Sequence, residues 1–180
     1  MWKRIERFYP PWLELLPPFL LAFALAYTAY NYALLPANIP THFGFTGQAD
    51  DWSSKGFWSV YLSLIIGALV CLPMSLMNYF LIIKPDDPGK YINLSQQQKV
   101  KLGPAQLEYI RTITARGMLI INLTVAAMIV TLQYGSINIA LGIQKGLGWS
   151  VNIFGLALLV ESLWLTVKTV SATFTSTKHR

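Results

Sequence analysis

The sequence has 180 residues, of which 54% are apolar and only 12% are charged, and its formal net charge is +6. Soluble domains carry about 25% charged residues, so this composition excludes an ordinary soluble domain and is typical of an integral membrane protein. The single Cys excludes an intrachain disulfide and a multi-cysteine zinc or iron–sulfur site. The two His residues exclude a bis-His haem or metal site unless the tail residue His179 takes part. We therefore expect no cofactor and no bound metal.

Four apolar stretches are long enough to cross a hydrocarbon core, which needs about 20 helical residues. The first follows a basic N-terminus, so we weighed a cleaved signal peptide. Its apolar residues continue beyond Ala26 to Leu35 and favour a membrane span instead. We predict an all-α integral membrane protein with a single four-helix domain over residues 1–180. The predicted spans are residues 15–35, 57–83, 112–134 and 149–170.

The Lys and Arg residues are distributed unevenly between the two sets of connections. Twelve of the fourteen lie in the N-terminus, between residues 84 and 116, and at the C-terminal end, whereas only Lys55 and Lys145 lie on the other side. Cytoplasmic loops of inner-membrane proteins are enriched in these residues, so we predict that both termini and the 84–111 loop are cytoplasmic. The predicted location is the bacterial plasma membrane. The same bias explains the net charge, so we expect lipid headgroups and no nucleic acid as its partner.

Small residues recur at every fourth position of the second span, which predicts a face open to close helix packing. An alanine series in the first span has a similar spacing, and the short connection between these spans favours them as antiparallel neighbours. Pro73 lies inside the second span and is expected to kink it. The residues of the two faces are Ser59, Ser63, Gly67, Cys71 and Ser75 in the second span, and Ala22, Ala26, Ala29 and Ala33 in the first.

Intramembrane polar groups are the usual pointers to function in a membrane protein. Glu161 lies well inside the fourth span, and Arg116 lies about one turn into the third span from the same side. One interpretation is a structural Glu161–Arg116 bridge or a hydrogen-bonded polar pocket. The alternatives are a carboxylate close to the membrane surface, and proton or ion handling. Four asparagines are expected to form hydrogen bonds between helices: Asn31, Asn78, Asn122 and Asn152.

The outer loop 36–56 combines residue types that favour an ordered conformation. Prolines at its start favour an extended backbone, glycines at its centre allow positive φ, and the Asp50-Asp51-Trp52 segment is predicted to be a turn that caps the second helix. We expect His42 to bond the loop backbone and Lys55 to pair with Asp50 or Asp51. A metal site or a pH sensor built on His42 and these acids was weighed, but one His with two adjacent acids is a poor metal site.

This loop resembles the bacterial membrane proteins grouped as domain of unknown function 1648. Their hallmark is a first helix followed by an LPxxIPxHFxxxGxxDxWxSK-like segment that continues into the second helix. The segment 92–98, with Tyr109 and Arg111 after it, also looks like the stretch after the second helix of such proteins. The residues that carry the loop resemblance are Leu35, Pro36, Ile39, Pro40, His42, Phe43, Gly47, Asp50 or Asp51, Trp52, Ser54 and Lys55.

The resemblance implies a small integral membrane protein. Some members are immunity proteins of the sporulation-delay toxin system, which protect the producing cell from a membrane-active peptide and sequester a repressor. The family as a whole has no settled activity. The resemblance therefore implies a sensor-like or immunity-like role as one expectation.

The predicted cytoplasmic loop 84–111 contains its own helix signals. Ser95 is placed to cap a short helix through Val100, Gly103-Pro104 interrupts that helix, and residues 105–116 continue into the third span. A solvated connector with basic residues near the membrane is one interpretation. A docking surface for a cytoplasmic partner is the other.

The sequence contains no nucleophile–base pair, phosphate-binding glycine loop or nucleotide motif. We therefore expect a non-enzymatic protein that acts through helix contacts and its outer loop. It would be an accessory subunit of a membrane complex, with other membrane subunits as partners, or an immunity-like or sensor-like protein. The alternative is a small transporter or channel with a polar path near Glu161 and Arg116.

Overall fold

The computed structural model of the chain describes residues 1–92 and 94–175. Asn93 and the tail residues Lys178, His179 and Arg180, which entered the predictions above, lie outside the described residues. The described elements, in chain order, are helix α1 (Trp2–Ile5), helix α2 (Leu16–Asn31), strand β1 (Asn38–Phe43), strand β2 (Ala49–Ser54), helix α3 (Phe57–Met77), helix α4 (Gln96–Ala140) and helix α5 (Ser150–Thr175). Two 3₁₀ segments, Pro11–Leu15 and Tyr32–Leu34, flank α2, and a π-helical segment, Asn78–Ile83, follows α3.

Within the described residues, four helical segments are long and apolar enough to cross a membrane: Pro11–Leu34, Phe57–Ile83, Gln96–Ala140 and Ser150–Phe174. The predicted number of spans is confirmed, and the second predicted span agrees with the structure at both ends. Helix α4 includes the helical residues predicted before the third span and continues past the predicted end of that span at residue 134 to Ala140, where Ile137 and Ile139 are buried. The chain is a multi-pass membrane protein.

Helix α4 contains the predicted interruption. Ser95 and Gln98 form a reciprocal capping box, in which Ser95 Oγ accepts from the Gln98 amide at 3.2 Å and Gln98 Oε1 accepts from the Ser95 amide at 2.9 Å. Gly103 has φ +76° and ψ 165°, a conformation that breaks the helical path immediately before Pro104. The sequence signals for the start and the break are both confirmed.

The loop between α2 and α3 is a β-hairpin, which the all-α prediction missed. Strands β1 and β2 pair antiparallel, with Asn38 opposite Ser54, Pro40 opposite Trp52 and Phe43 opposite Ala49. The predicted helix-capping turn at Asp50 and Asp51 is wrong, because both residues belong to β2 and the next helix begins at Phe57. Pairing with β1 satisfies the backbone N–H and C=O groups of this segment. Helix α3 therefore begins only after Gly56.

The described chain divides into two compact units. Unit 1 comprises Met1–Glu14, Pro73–Asn122 and the described part of Leu159–Arg180; unit 2 comprises Leu15–Leu72 and Leu123–Leu158.

In unit 1, arginine side chains bond the backbone at the end of the second span and in the N-terminal segment. Arg111 is buried; its Nε donates to Ile82 O at 2.6 Å and its Nη2 donates to Ile83 O, at carbonyls that the helix end leaves without helical partners. Its guanidinium also lies 5.1 Å from the centre of the buried Phe8 ring. Arg116 Nε donates to Phe8 O at 2.8 Å.

A second polar group in unit 1 surrounds Tyr9. The Tyr9 hydroxyl donates to Glu14 Oε1 and accepts from Asn78 Nδ2 at 2.9 Å, and the same Asn78 amide donates to Ala115 O at 3.1 Å. Burial raises the pKa of the Tyr9 phenol above its usual range, and the Glu14 carboxylate acts in the same direction. The Tyr9 phenol therefore stays protonated and donates its hydrogen bond to the Glu14 carboxylate.

The core of unit 2 uses a different face of α2 from the predicted one. The buried positions of α2 include Leu21, Ala24, Thr28 and Asn31, and the predicted contact residues are exposed: Ala22, Ala26, Ala29 and Ala33. Both series have helical spacing, but only the first contains Thr28 and Asn31, whose polar side chains form hydrogen bonds inside the protein. The predicted alanine ridge is wrong for this reason.

The small-residue face of α3 is packed. A Cβ on Gly67 would lie 2.8 Å from Ile129 Cγ2 and 3.1 Å from Leu21 Cδ2, so α3 approaches both neighbours closely in unit 2. Cys71 is buried in the same cluster, and Ser63 donates to Gln133. Ser75, which belongs to unit 1, accepts from Asn122 Nδ2 at 2.9 Å. The face therefore packs against α4 as well as α2.

Candidate functional site

The base of the hairpin is held by Lys55. Its Nζ donates to Leu35 O at 2.9 Å and to Tyr32 O at 3.5 Å, and lies 5.4 Å from the centre of the Tyr32 ring. The Lys55 amide also donates to Ala37 O at 2.7 Å. Lys55 thus bonds the backbone after α2 instead of the predicted Asp50 or Asp51. Since these carbonyls follow the end of a helix, an ammonium group is a favourable partner for them.

The turn of the hairpin contacts the loop between α4 and α5 at two glycines. Gly47 has φ +76°, and its carbonyl accepts from the Leu147 amide at 2.7 Å. A Cβ on Gly47 would lie 2.6 Å from Gly148 N, so any larger residue would collide with backbone. Both the conformation and the close approach require glycine at this motif position.

A second contact fixes the same turn to the start of α5. Asn152 Nδ2 donates to Phe45 O at 2.6 Å. The Phe45 ring meets the Trp149 ring edge to face, with centroids 5.3 Å apart and planes at 89°. This bond joins α5 to the hairpin turn, whereas the prediction for Asn152 was a bond between helices.

The polar residues of the hairpin interact mainly with one another. His42 Nδ1 lies 2.5 Å from Asp50 Oδ1, and Asp51 Oδ1 accepts from the Trp52 amide at 2.9 Å. His42 therefore pairs with a carboxylate instead of the predicted loop backbone. Within residues 1–92 and 94–175, no group of three or more His, Cys, Asp and Glu side chains is placed to hold a metal ion.

A cavity of about 440 Å³ lies beneath the hairpin within unit 2. Its roof is β1 and the following turn, including His42, Phe43 and Gly47, and its walls come from α3, α4 and the start of α5. Its volume falls within the range of small-molecule sites, which is about 300–1,000 Å³. The apolar wall residues are Val60, Leu62, Ile66, Leu132, Leu147 and Val151, and the polar ones include Ser59, Ser63, Gln133, Ser136 and Asn152.

Gln133 organises the polar part of this wall. Its Nε2 donates to Thr28 Oγ1 at 2.9 Å and to Val60 O at 3.0 Å, and its Oε1 accepts from Ser63. Gln133 and Thr28 are buried, so the amide joins α2, α3 and α4 away from solvent. Neither residue was among the predicted site residues, although a glutamine inside an apolar span is itself a signal for interhelical bonding.

The remaining predicted site residues are distributed between the two units. In unit 2, Pro40 is buried and its carbonyl accepts from Ser136 Oγ at 3.2 Å, whereas Pro36 and Trp52 are exposed. In unit 1, Arg116 bonds the Phe8 carbonyl and Glu161 lies partly buried on α5. A direct Glu161–Arg116 bridge stays a prediction.

Comparison with known proteins identifies the segment that builds the hairpin. No curated protein and no solved structure matches the chain. Residues 19–68 match a family model described as a domain of unknown function, DUF1648, and this range contains the whole hairpin with its motif residues. The resemblance drawn from the loop is thereby confirmed. The chain is a multi-pass membrane protein whose residues 19–68 match the DUF1648 family model.

Proposed function

We propose that the protein is a non-enzymatic component of the bacterial plasma membrane that acts by binding another membrane protein through its hairpin. The observation that carries this proposal is the combination of exposed aromatic rings with a fixed backbone. Phe45 and Trp52 are 74% and 47% exposed, although the hairpin beneath them is bonded at its base and at its turn. Rigid, exposed aromatic side chains bind partners with little loss of conformational entropy.

Two biological roles are compatible with such a surface. As an accessory subunit, the protein would hold a partner in a membrane complex; as an immunity-like or sensor-like protein, it would engage its target transiently. The predicted transport path near Glu161 and Arg116 has less support, because the Arg116 side chain already bonds the Phe8 carbonyl. A guanidinium engaged by backbone is typical of a structural role.

Affinity purification from native membranes in mild detergent tests this proposal. Wild-type protein should retain a partner in a fixed ratio, and Trp52→Ala should lose it while keeping the wild-type helix content. The matched control is Val100→Ala, which changes a side chain that is 80% exposed on α4, outside the hairpin. Recovery of the wild type without any fixed-ratio partner, or equal loss in both variants, would refute binding through the hairpin.

A further inference from the structure

The wall of the cavity beneath the hairpin runs along helix α3. Along α3 its wall includes Trp58, next to the hairpin, and Ile66, two turns deeper. At the helical rise this separation is about 12 Å. The α3 wall of the cavity therefore follows the helix for about two turns away from the hairpin.

The side wall of the cavity belongs to the surface that faces lipid. Leu62 and Ile66 line the cavity and are each 48% exposed, within a helix apolar enough to cross the membrane. Side chains that are both lining and exposed at this depth indicate that the cavity opens sideways toward the hydrocarbon. A ligand can thus enter from the bilayer without crossing water.

Several polar lining groups already donate to protein acceptors. Gln133 donates to Thr28 and Val60, Ser136 donates to Pro40 O, and Asn152 donates to Phe45 O. Such a wall offers little compensation to a polar solute for the loss of its water. An acyl chain that enters from the bilayer has no water to lose, so van der Waals packing against the apolar wall, and not removal from water, holds it there.

The titratable group in the wall lies at the hairpin end. His42 lines the cavity and bonds Asp50 through Nδ1, and its side chain is 68% exposed. His42 at the hairpin end, with the apolar side chains of Leu62 and Ile66 farther along α3, matches an amphiphile oriented with its polar end at the hairpin.

We propose that this cavity binds one acyl chain of a bilayer phospholipid from the leaflet on the hairpin side. The chain lies along α3 between Leu62, Ile66, Leu132 and Val151, and the glycerol and headgroup region reaches the rim near His42. This inference is independent of the protein partner proposed above. Its claim concerns lipid occupancy, which is measured separately from partner recovery.

Photo-crosslinking in nanodiscs tests the assignment. The purified protein is reconstituted into phosphatidylcholine nanodiscs that contain a small fraction of phosphatidylcholine with a diazirine in its acyl chain. After illumination, the modified residues are mapped by mass spectrometry. We expect crosslinks enriched at Leu132 and Val151 over Leu156, an α5 side chain that is 63% exposed and does not line the cavity. Equal crosslinking at all three positions would show that the lipid only surrounds the protein and does not occupy the cavity. That result would overturn the proposal.

Two variants sharpen the result. Val151→Trp should fill the cavity and abolish the enriched crosslink at Leu132, whereas Leu156→Trp adds the same bulk outside and should preserve it. If Val151→Trp fails to fold, the distribution of crosslinks on the wild-type protein is sufficient to test the proposal. Lipid analysis of the purified wild type should find bound phospholipid, and stoichiometric retention of an isoprenoid lipid in its place would overturn the choice of occupant.

Discussion

At the scale of single residues, three positions of the hairpin motif hold the hairpin to the rest of the protein. Gly47 combines a positive φ with close approach to Gly148, Pro40 presents a buried carbonyl to Ser136, and Lys55 bonds the backbone after α2. These are structural roles, and together they fix the position of the exposed rings. The motif therefore specifies how the hairpin is attached to the helices.

Gly47→Ala should destabilise the protein by about 2 kcal/mol or more, because alanine is strained at this φ and its Cβ would collide with backbone. The measurement is thermal unfolding of the detergent-solubilised protein. Gly56→Ala is the matched control, since its Cβ would lie 3.8 Å from Ser59 Oγ in ordinary contact. Equal stability of Gly47→Ala and the wild type would show that the turn does not dock as described.

Gln133→Leu removes the amide that joins three helices and leaves the Thr28 and Ser63 hydroxyls without it. We expect a loss of about 1 kcal/mol, the usual scale for interhelical hydrogen bonds in membranes. Thr131→Val is the control, because the Thr131 hydroxyl bonds Ala127 O within its own helix. Unfolding in a titration of denaturing detergent measures both; a neutral Gln133→Leu would contradict the role given to this network.

At the scale of elements, the helices were largely predictable and the hairpin was not. The lengths of the apolar stretches predicted the four spans. Ser95 predicted the start of α4, and Gly103-Pro104 predicted its break. The hairpin depends on pairing between Asn38–Phe43 and Ala49–Ser54, whose mixed polar residues lack a clear alternation. Acidic residues before a helix also favour a helix cap, so Asp50 and Asp51 predicted a cap for α3. In the structure both residues lie instead in strand β2, which pairs with β1.

The packed faces were only partly predictable for a related reason. Small residues at every fourth position correctly predicted the packed face of α3. A similar spacing in α2 predicted an alanine face that is exposed. Spacing alone does not distinguish a packed face from a lipid-facing one when both are apolar. The polar residues Thr28 and Gln133 would have been the better guide, since each needs a partner inside the protein.

The end of the second span gives a test at this scale. Arg111→Met should destabilise the protein by about 2 kcal/mol or more, because the carbonyls of Ile82 and Ile83 lose a charged donor. Arg111→Lys should not restore stability, since one ammonium lacks the planar fork that reaches both carbonyls. Arg7→Met is the control, as it removes an exposed ion pair with Glu108 and should cost little. Rescue by lysine would show that charge alone matters.

At the scale of the whole molecule, the charge distribution predicts orientation. With Cys71 replaced by Ser to remove the single native cysteine, Ser54→Cys should react with a membrane-impermeant maleimide on intact cells, because the predicted orientation places the hairpin outside. Gln97→Cys should react only after lysis, because the same orientation places the 84–111 loop in the cytoplasm. Labelling in the opposite order would invert the predicted topology.

The central claim is that the hairpin is the surface through which this membrane protein meets its partner. It is tested most directly in living cells, with a photo-crosslinking amino acid placed at Phe45 or Trp52 and, as a control, at Val100. The account predicts a discrete protein adduct from the hairpin positions that the Val100 position does not give. The absence of a protein adduct at both hairpin positions, or the same adduct at all three positions, would contradict it.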